Sequence, residues 1–169
     1  YMEASKLALK KIATTFIAKE QAEGVGARVK RYIGCRANPR LDPFIMLDHF
    51  NVKLPAGFPD HPHRGMETVT YMLSGEILHE DFKSNAGSLG AGDVQWMTAG
   101  KGIVHAEMPG SFDTAAIGFQ LWLNLDAKSK FCEPQYQEFK SKDIPCYKDE
   151  NMTVKVIAGE VFGVKGPIT

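Results

Sequence analysis

Runs of β-branched and aromatic residues recur along this chain at intervals of about ten residues, each cut short by Gly, Pro, Asn or Asp. That rhythm points to an all-β sandwich or barrel. Strands are expected at Lys10–Ala18, Ala27–Ile33, Phe44–Phe50, Glu67–Ser74, Glu76–Phe82, Gly92–Met97, Gly102–Met108, Gly118–Leu125 and Met152–Gly159. Ser74-Gly75, between two of these runs, is a hairpin signal. Ser129–Asp149 is polar and interrupted by Pro134 and Pro145, so it reads as a loop or extended wrap. No strong amphipathic helix, internal repeat or low-complexity tract breaks the pattern. At 169 residues a chain buries roughly 70% of its unfolded surface, enough for a core without disulfide staples.

Composition removes several classes of function. Twenty basic and twenty acidic side chains give a net charge of zero, which offers no electrostatic grip for nucleic acid. The cluster Arg28, Lys30, Arg31 and the pair Lys10-Lys11 read as solvated strand faces. Cys35, Cys132 and Cys146 are odd in number and form no Cys-x-x-Cys, a pattern that fits reduced thiols in an intracellular protein. The stretch Tyr1–Ala18 contains Lys6, Lys10 and Lys11 and lacks an uninterrupted apolar core of signal-peptide length, and no segment reaches the length of a membrane span. Asn151-Met152-Thr153 matches the glycosylation acceptor pattern, which is inert in a chain that is not secreted.

Chemistry concentrates in two short pairs, His61-Pro62-His63 and His105-Ala106-Glu107. Residues two positions apart on a strand project from the same sheet face. Three imidazoles and a carboxylate, with no thiolate, form a ligand set for a divalent transition metal. A lone His-x-His is a weak motif, but both pairs adjoin strand patterns and tight turns. A six-coordinate ion held by these four groups keeps two positions open, as catalysis requires. Glu67, four residues after His63, is a competing carboxylate, either a ligand or a hydrogen-bonding partner that orients an imidazole. His79 reads as a polar, partly exposed strand end and His49 as a rim histidine with its hydrogen bonds satisfied. Trp96, Trp122, Phe119 and Met97 read as barrel core, with some of the alternating side chains available to line a metal pocket.

The wording around these pairs resembles a known family. Gly57 followed by His61-Pro62-His63 and Glu67, then Gly92 through Gly100 to His105, is similar to the two motifs of the cupin superfamily of small jelly-roll barrels. Phe58-Pro59-Asp60-His61-Pro62-His63-Arg64-Gly65, Gly92-Asp93-Val94-Gln95-Trp96-Met97-Thr98-Ala99-Gly100, His105-Ala106-Glu107-Met108-Pro109 and Gln120-Leu121-Trp122-Leu123-Asn124-Leu125 more specifically resemble the Pirin family. The resemblance runs from about Lys10 to the end. It implies a cupin double-stranded β-helix, with residues 1–169 as a single cupin domain corresponding to the amino-terminal, metal-binding half of a two-barrel protein and the second cupin domain absent. The general cupin pattern makes Glu67 the fourth ligand; the pirin pattern assigns Glu107 beside His61, His63 and His105, with strand alternation in modest support.

The resemblance implies one iron per chain, as Fe2+ or Fe3+, although the ligand types also suit other divalent transition metals. Two functions follow from it. One is a redox-responsive nuclear transcription coregulator that binds a factor of the NF-κB/Rel type, found in nucleus and cytoplasm. The wording Glu133-Pro134-Gln135-Tyr136-Gln137-Glu138 looks closer to animal pirins and favours it. The other is flavonol (quercetin) 2,3-dioxygenase activity, with Glu107 as the catalytic proton acceptor. A chain lacking the second barrel is expected to turn quercetin over weakly or not at all. Neither function calls for direct nucleic-acid or membrane contact.

Overall fold

The computed structural model describes residues 11–169. Eleven strands build two antiparallel sheets: β1 (Glu20–Glu23), β2 (Ala27–Ile33), β3 (Phe44–Val52), β4 (Phe58–His63), β5 (Met66–Ser74), β6 (Ile77–Asp81), β7 (Ala86–Leu89), β8 (Val94–Thr98), β9 (Ile103–Pro109), β10 (Ala116–Asn124) and β11 (Gln135–Phe139). The seven-stranded sheet runs β1-β2-β3-β10-β5-β8-β11 and the four-stranded sheet β4-β9-β6-β7. Two short hairpins close the chain, β12 (Cys146–Lys148) with β13 (Thr153–Lys155) and β14 (Glu160–Val161) with β15 (Val164–Lys165). Among the described residues no helix is long and apolar enough to cross a membrane.

Alternation along the strands decides which residues face the interior. In β2, Ala27 and Val29 are buried while Arg28 and Lys30 are exposed. In β5, Thr68, Thr70 and Met72 turn inward, and Met72 packs with Ile77 of β6 and Leu89 of β7, which joins the two sheets through one core. Val29, Phe50, Val52 and Ala116 complete that core. The outward side chains Val69, Tyr71, Trp96, Leu121 and Leu123 are covered by Ile144 and Ile157, so the carboxyl-terminal segment wraps the outer face of the large sheet. Gly118 of β10 lies against the Phe50 ring and the Tyr71 carbonyl, where an added Cβ would approach each to 2.6 Å. Only glycine admits that approach.

Four expectations need correction. The strand expected at Met152–Gly159 extends only over Thr153–Lys155. Of the strand expected at Lys10–Ala18, Lys10 lies outside the described residues and 11–18 form no strand; Ile12 and Ile17 stay exposed because no sheet face meets them. The expected loop at Ser129–Asp149 contains β11, paired with β8 from Gln135↔Thr98 to Phe139↔Val94. Its polarity reflects an edge position, with Glu138 reaching Gln95 beneath the sheet. Arg31, grouped with the solvated basic residues, is instead partly buried and bonded to Asp48 through Nε (2.8 Å) and Nη2 (2.7 Å).

Candidate metal centre

β4 and β9 carry the two ligand pairs and lie side by side. His61 is directly opposite His105 and His63 opposite Ile103, while a bulge between Phe58 and His61 brings Phe58 opposite Glu107. β4 is the edge of its sheet, which is why Pro59 and Pro62 are tolerated: an edge strand needs no partner for the missing N–H groups on its open side. The sequence reading placed His61-Pro62-His63 beside a strand; the pair lies within the strand itself.

Three imidazoles converge. The rings of His61 and His63 are 4.8 Å apart, those of His61 and His105 4.5 Å, and those of His63 and His105 5.0 Å. One nitrogen from each lies within 4.8 Å of the others. His61 Nδ1 is 2.8 Å from the Pro59 carbonyl; a carbonyl only accepts, so Nδ1 carries the proton and Nε2 keeps its lone pair. His63 Nε2 and both ring nitrogens of His105 are buried without a hydrogen-bond partner. Buried nitrogens orphaned around one point are costly unless something satisfies them; a divalent ion would satisfy one nitrogen of each ring, leaving the second nitrogen of His105 without a partner. His63 and His105 are also held in the neutral, ligating form. Burial, reinforced by His105 and His61, pushes His63 down to about 4, and burial likewise lowers His105.

Glu107 stands beside this cluster on β9, with Oε2 4.0 Å from His105 Nε2. It is 3% exposed, yet its carboxyl is held below the usual range: burial opposes ionisation, and His105 together with the Gln120 amide outweighs it. Thr70 and Gln120 both donate to the carboxylate from the opposite sheet. A cavity of about 450 Å³ opens onto His61 and His63, with Val29, Met46, Phe50, Phe58 and Trp122 as apolar walls and Gln120 as a polar point. Its far side carries Arg31, Asp48 and Glu23, joined by Arg31 Nη2 to Glu23 Oε2 at 2.5 Å as well as by the Asp48 pair.

A sequence profile of the Pirin family matches residues 26–123. The chain belongs to the Pirin family. Pirin of Homo sapiens is 52% identical over 160 residues, which cover 94% of this chain and 55% of the human one. The crystal structure of quercetin 2,3-dioxygenase from Acinetobacter baumannii superposes with a TM-score of 0.84 at 35% identity, covering 96% of this chain and 61% of that one. The bacterial pirin YhhW from Escherichia coli, in complex with nickel(II), superposes with a TM-score of 0.62 at 25% identity, covering 73% of this chain and 54% of that one. The chain thus spans about half the length of the curated relatives it matches. Its two facing sheets are the cupin fold of this family, and its three-histidine cluster is placed to hold a metal ion.

The other candidates of this pirin-family chain fall elsewhere. Glu67 pairs in register with Thr98 and accepts its hydroxyl at 2.7 Å. It alternates with inward Thr68, so it projects from the outer face and touches no ring of the cluster. The reading of Glu67 as a carboxylate that orients a ligand imidazole is therefore not what the geometry shows. His49 also faces outward, against Phe119 at 5.0 Å, and its hydrogen bonds are not all satisfied: Nε2 is buried without a partner. His79 is not a partly exposed strand end. It is buried opposite Glu107 in the β6–β9 register, with Nε2 2.8 Å from Glu138 Oε1 and its ring stacked on Tyr136. Sequence reasoning missed Thr70, Gln120 and the Arg31–Asp48 pair. The signal for Gln120 was available: it is a lone amide inside the apolar run Phe119–Leu123, at an inward position.

Proposed function

We propose that His61, His63, His105 and Glu107 hold one iron ion, and that the centre opens the heterocycle of a flavonol such as quercetin. The observation that carries this reading is the apolar cavity ending on His61 and His63; a purely structural metal would be closed off. The likeness to the Acinetobacter quercetin 2,3-dioxygenase supports the substrate class, and the nickel(II) complex of YhhW supports a divalent transition metal in this barrel. When bound, the ion supplies a site where a chelating 3-hydroxy-ketone and dioxygen meet. The chain does the rest. Pro59 fixes the His61 tautomer, Phe50, Phe58 and Trp122 keep water from the cavity, and Glu107, held ionised behind Gln120, completes the ligand set. The test is carbon monoxide release from quercetin by the iron-loaded protein. A chain without the second barrel is expected to release little, so quercetin binding, read as a shift of its visible absorption, is measured alongside: a shift or release above that of the His61→Ala, His63→Ala double variant supports the reading, and the absence of both rejects it.

A second reading is favoured by the back of the same strands. Leu78 and Val104 are 46% and 39% exposed on the outer face of the small sheet, with Phe82 at 62%, and Val104 sits next to His105 in the chain. That apolar face, one peptide from the candidate ligands, suits a protein partner that senses the oxidation state of the ion. On this reading the protein is a nuclear coregulator for an NF-κB/Rel-type factor. A Rel-homology domain should bind the ferric form more tightly than the ferrous form, and equal affinity for both forms and for the double variant eliminates it.

A further inference from the structure

The buried carboxylate of Glu107 is gripped by side chains that hold no metal themselves. Gln120 Nε2 donates to Oε2 at 2.9 Å and to Oε1 at 3.1 Å, and Thr70 Oγ1 donates to Oε1 at 3.2 Å. An amide can face either way, but its neighbours decide. The Trp122 indole N–H only donates and the ionised carboxylate only accepts. Both are satisfied only with Gln120 Oε1 toward Trp122 Nε1, 3.0 Å away, and Nε2 toward Glu107. Trp122 is itself set edge-on to His63, with ring centroids 5.1 Å apart. An arc of contacts thus runs from one imidazole of the cluster, through Trp122 and Gln120, to the carboxylate beside another.

We propose that Gln120 is a positioning residue that aims one oxygen of Glu107 at the metal. Thr70 and the amide occupy Oε1, while Oε2, 4.0 Å from His105 Nε2, accepts only the amide and keeps a second lone pair to present to the ion. Ligation through a single oxygen keeps a coordination position open for a ligand entering from the cavity. Gln120 and Trp122 line that cavity and Glu107 does not, so an incoming ligand meets the amide before the carboxylate. The inference rests on the reading that this cluster holds a metal.

The experiment measures cobalt(II) affinity by chelator competition, with the visible spectrum of the bound cobalt as a second readout. The wild-type protein and Gln120→Leu are compared, each with and without Glu107→Gln. Gln120→Leu is expected to weaken binding by about tenfold or more, the scale of losses from groups that orient ligands, and to change the spectrum. In the Glu107→Gln background it should add less than about twofold. Trp122→Phe, which frees the amide to turn over, should give a smaller loss that also disappears in that background. If Gln120→Leu does not fold, Trp122→Phe and Thr70→Val carry the same cycle. Equal losses in both backgrounds overturn the proposal, because the effect then does not pass through Glu107; so does unchanged affinity in Gln120→Leu. The metal-free protein separates this proposal from the metal reading. A shift of the Gln120 side-chain amide resonance on Glu107→Gln establishes the grip alone. That shift, together with a wild-type protein that binds no cobalt, removes the metal reading and the aiming role with it.

Discussion

Acidifying the metal-free protein from pH 7 to 4 should destabilise it through His63. The imidazole is 4% exposed and held down to about 4 against an ordinary value of 6.5. The unfolded chain therefore takes up its proton first. His63 contributes its stability fully above about pH 6.5, and loses it as pH falls toward 4. The gap corresponds to about 3 kcal/mol over that interval. His105, lowered for the same reason, acts in the same direction. The carboxylates held below their ordinary range, such as Asp93 and Glu138, surrender their share only below about pH 4.5. Urea unfolding followed by circular dichroism at successive pH values measures the slope, and His63→Gln should flatten most of it. Wild-type stability unchanged between pH 7 and 4.5, or an equal loss in His63→Gln, would refute the reasoning. Loading the metal should delay the transition to lower pH, since an ion holds the imidazoles deprotonated.

Glu67→Gln should leave metal affinity unchanged in chelator competition, because Glu67 projects from the outer face toward Thr98; a loss of tenfold would place it back at the site. Gly118→Ala should destabilise the fold by about 1–3 kcal/mol in thermal unfolding, since the new methyl meets the Phe50 ring and the Tyr71 carbonyl. Arg31→Met should cost about 3 kcal/mol by leaving Asp48, 3% exposed, buried without its bidentate partner; a neutral result in denaturant titration would show that Asp48 finds water instead.

The strand core was legible because its signals are local. Val29 and Ala27 alternate with Arg28 and Lys30, and Thr68-Val69-Thr70-Tyr71 is β-branched and aromatic throughout, so propensity and periodicity agree with the observed strands. The two His pairs were legible for the same reason, since residues two apart on a strand share a face whatever else surrounds them. The misses depend on long-range pairing. β11 has no apolar alternation because it borders the sheet, and only its register with β8 makes it a strand. Arg31 looks like its solvated neighbours until β2 is set beside β3, which brings Asp48 opposite it. Glu67 and Thr70 are equally polar in the sequence. Strand alternation puts them on opposite faces, but which face is inward emerges only when Thr70 is found beneath Gln120 and Glu107 while Glu67 meets Thr98.

Elemental analysis of protein purified without an affinity-tag metal, for the wild type and for the His61→Ala, His63→Ala double variant, tests the central claim most directly. The account predicts close to one iron per wild-type chain and a small residue of metal in the variant, with the same fold by circular dichroism. A wild-type protein that takes up no transition metal, or a double variant that keeps full occupancy, would contradict it.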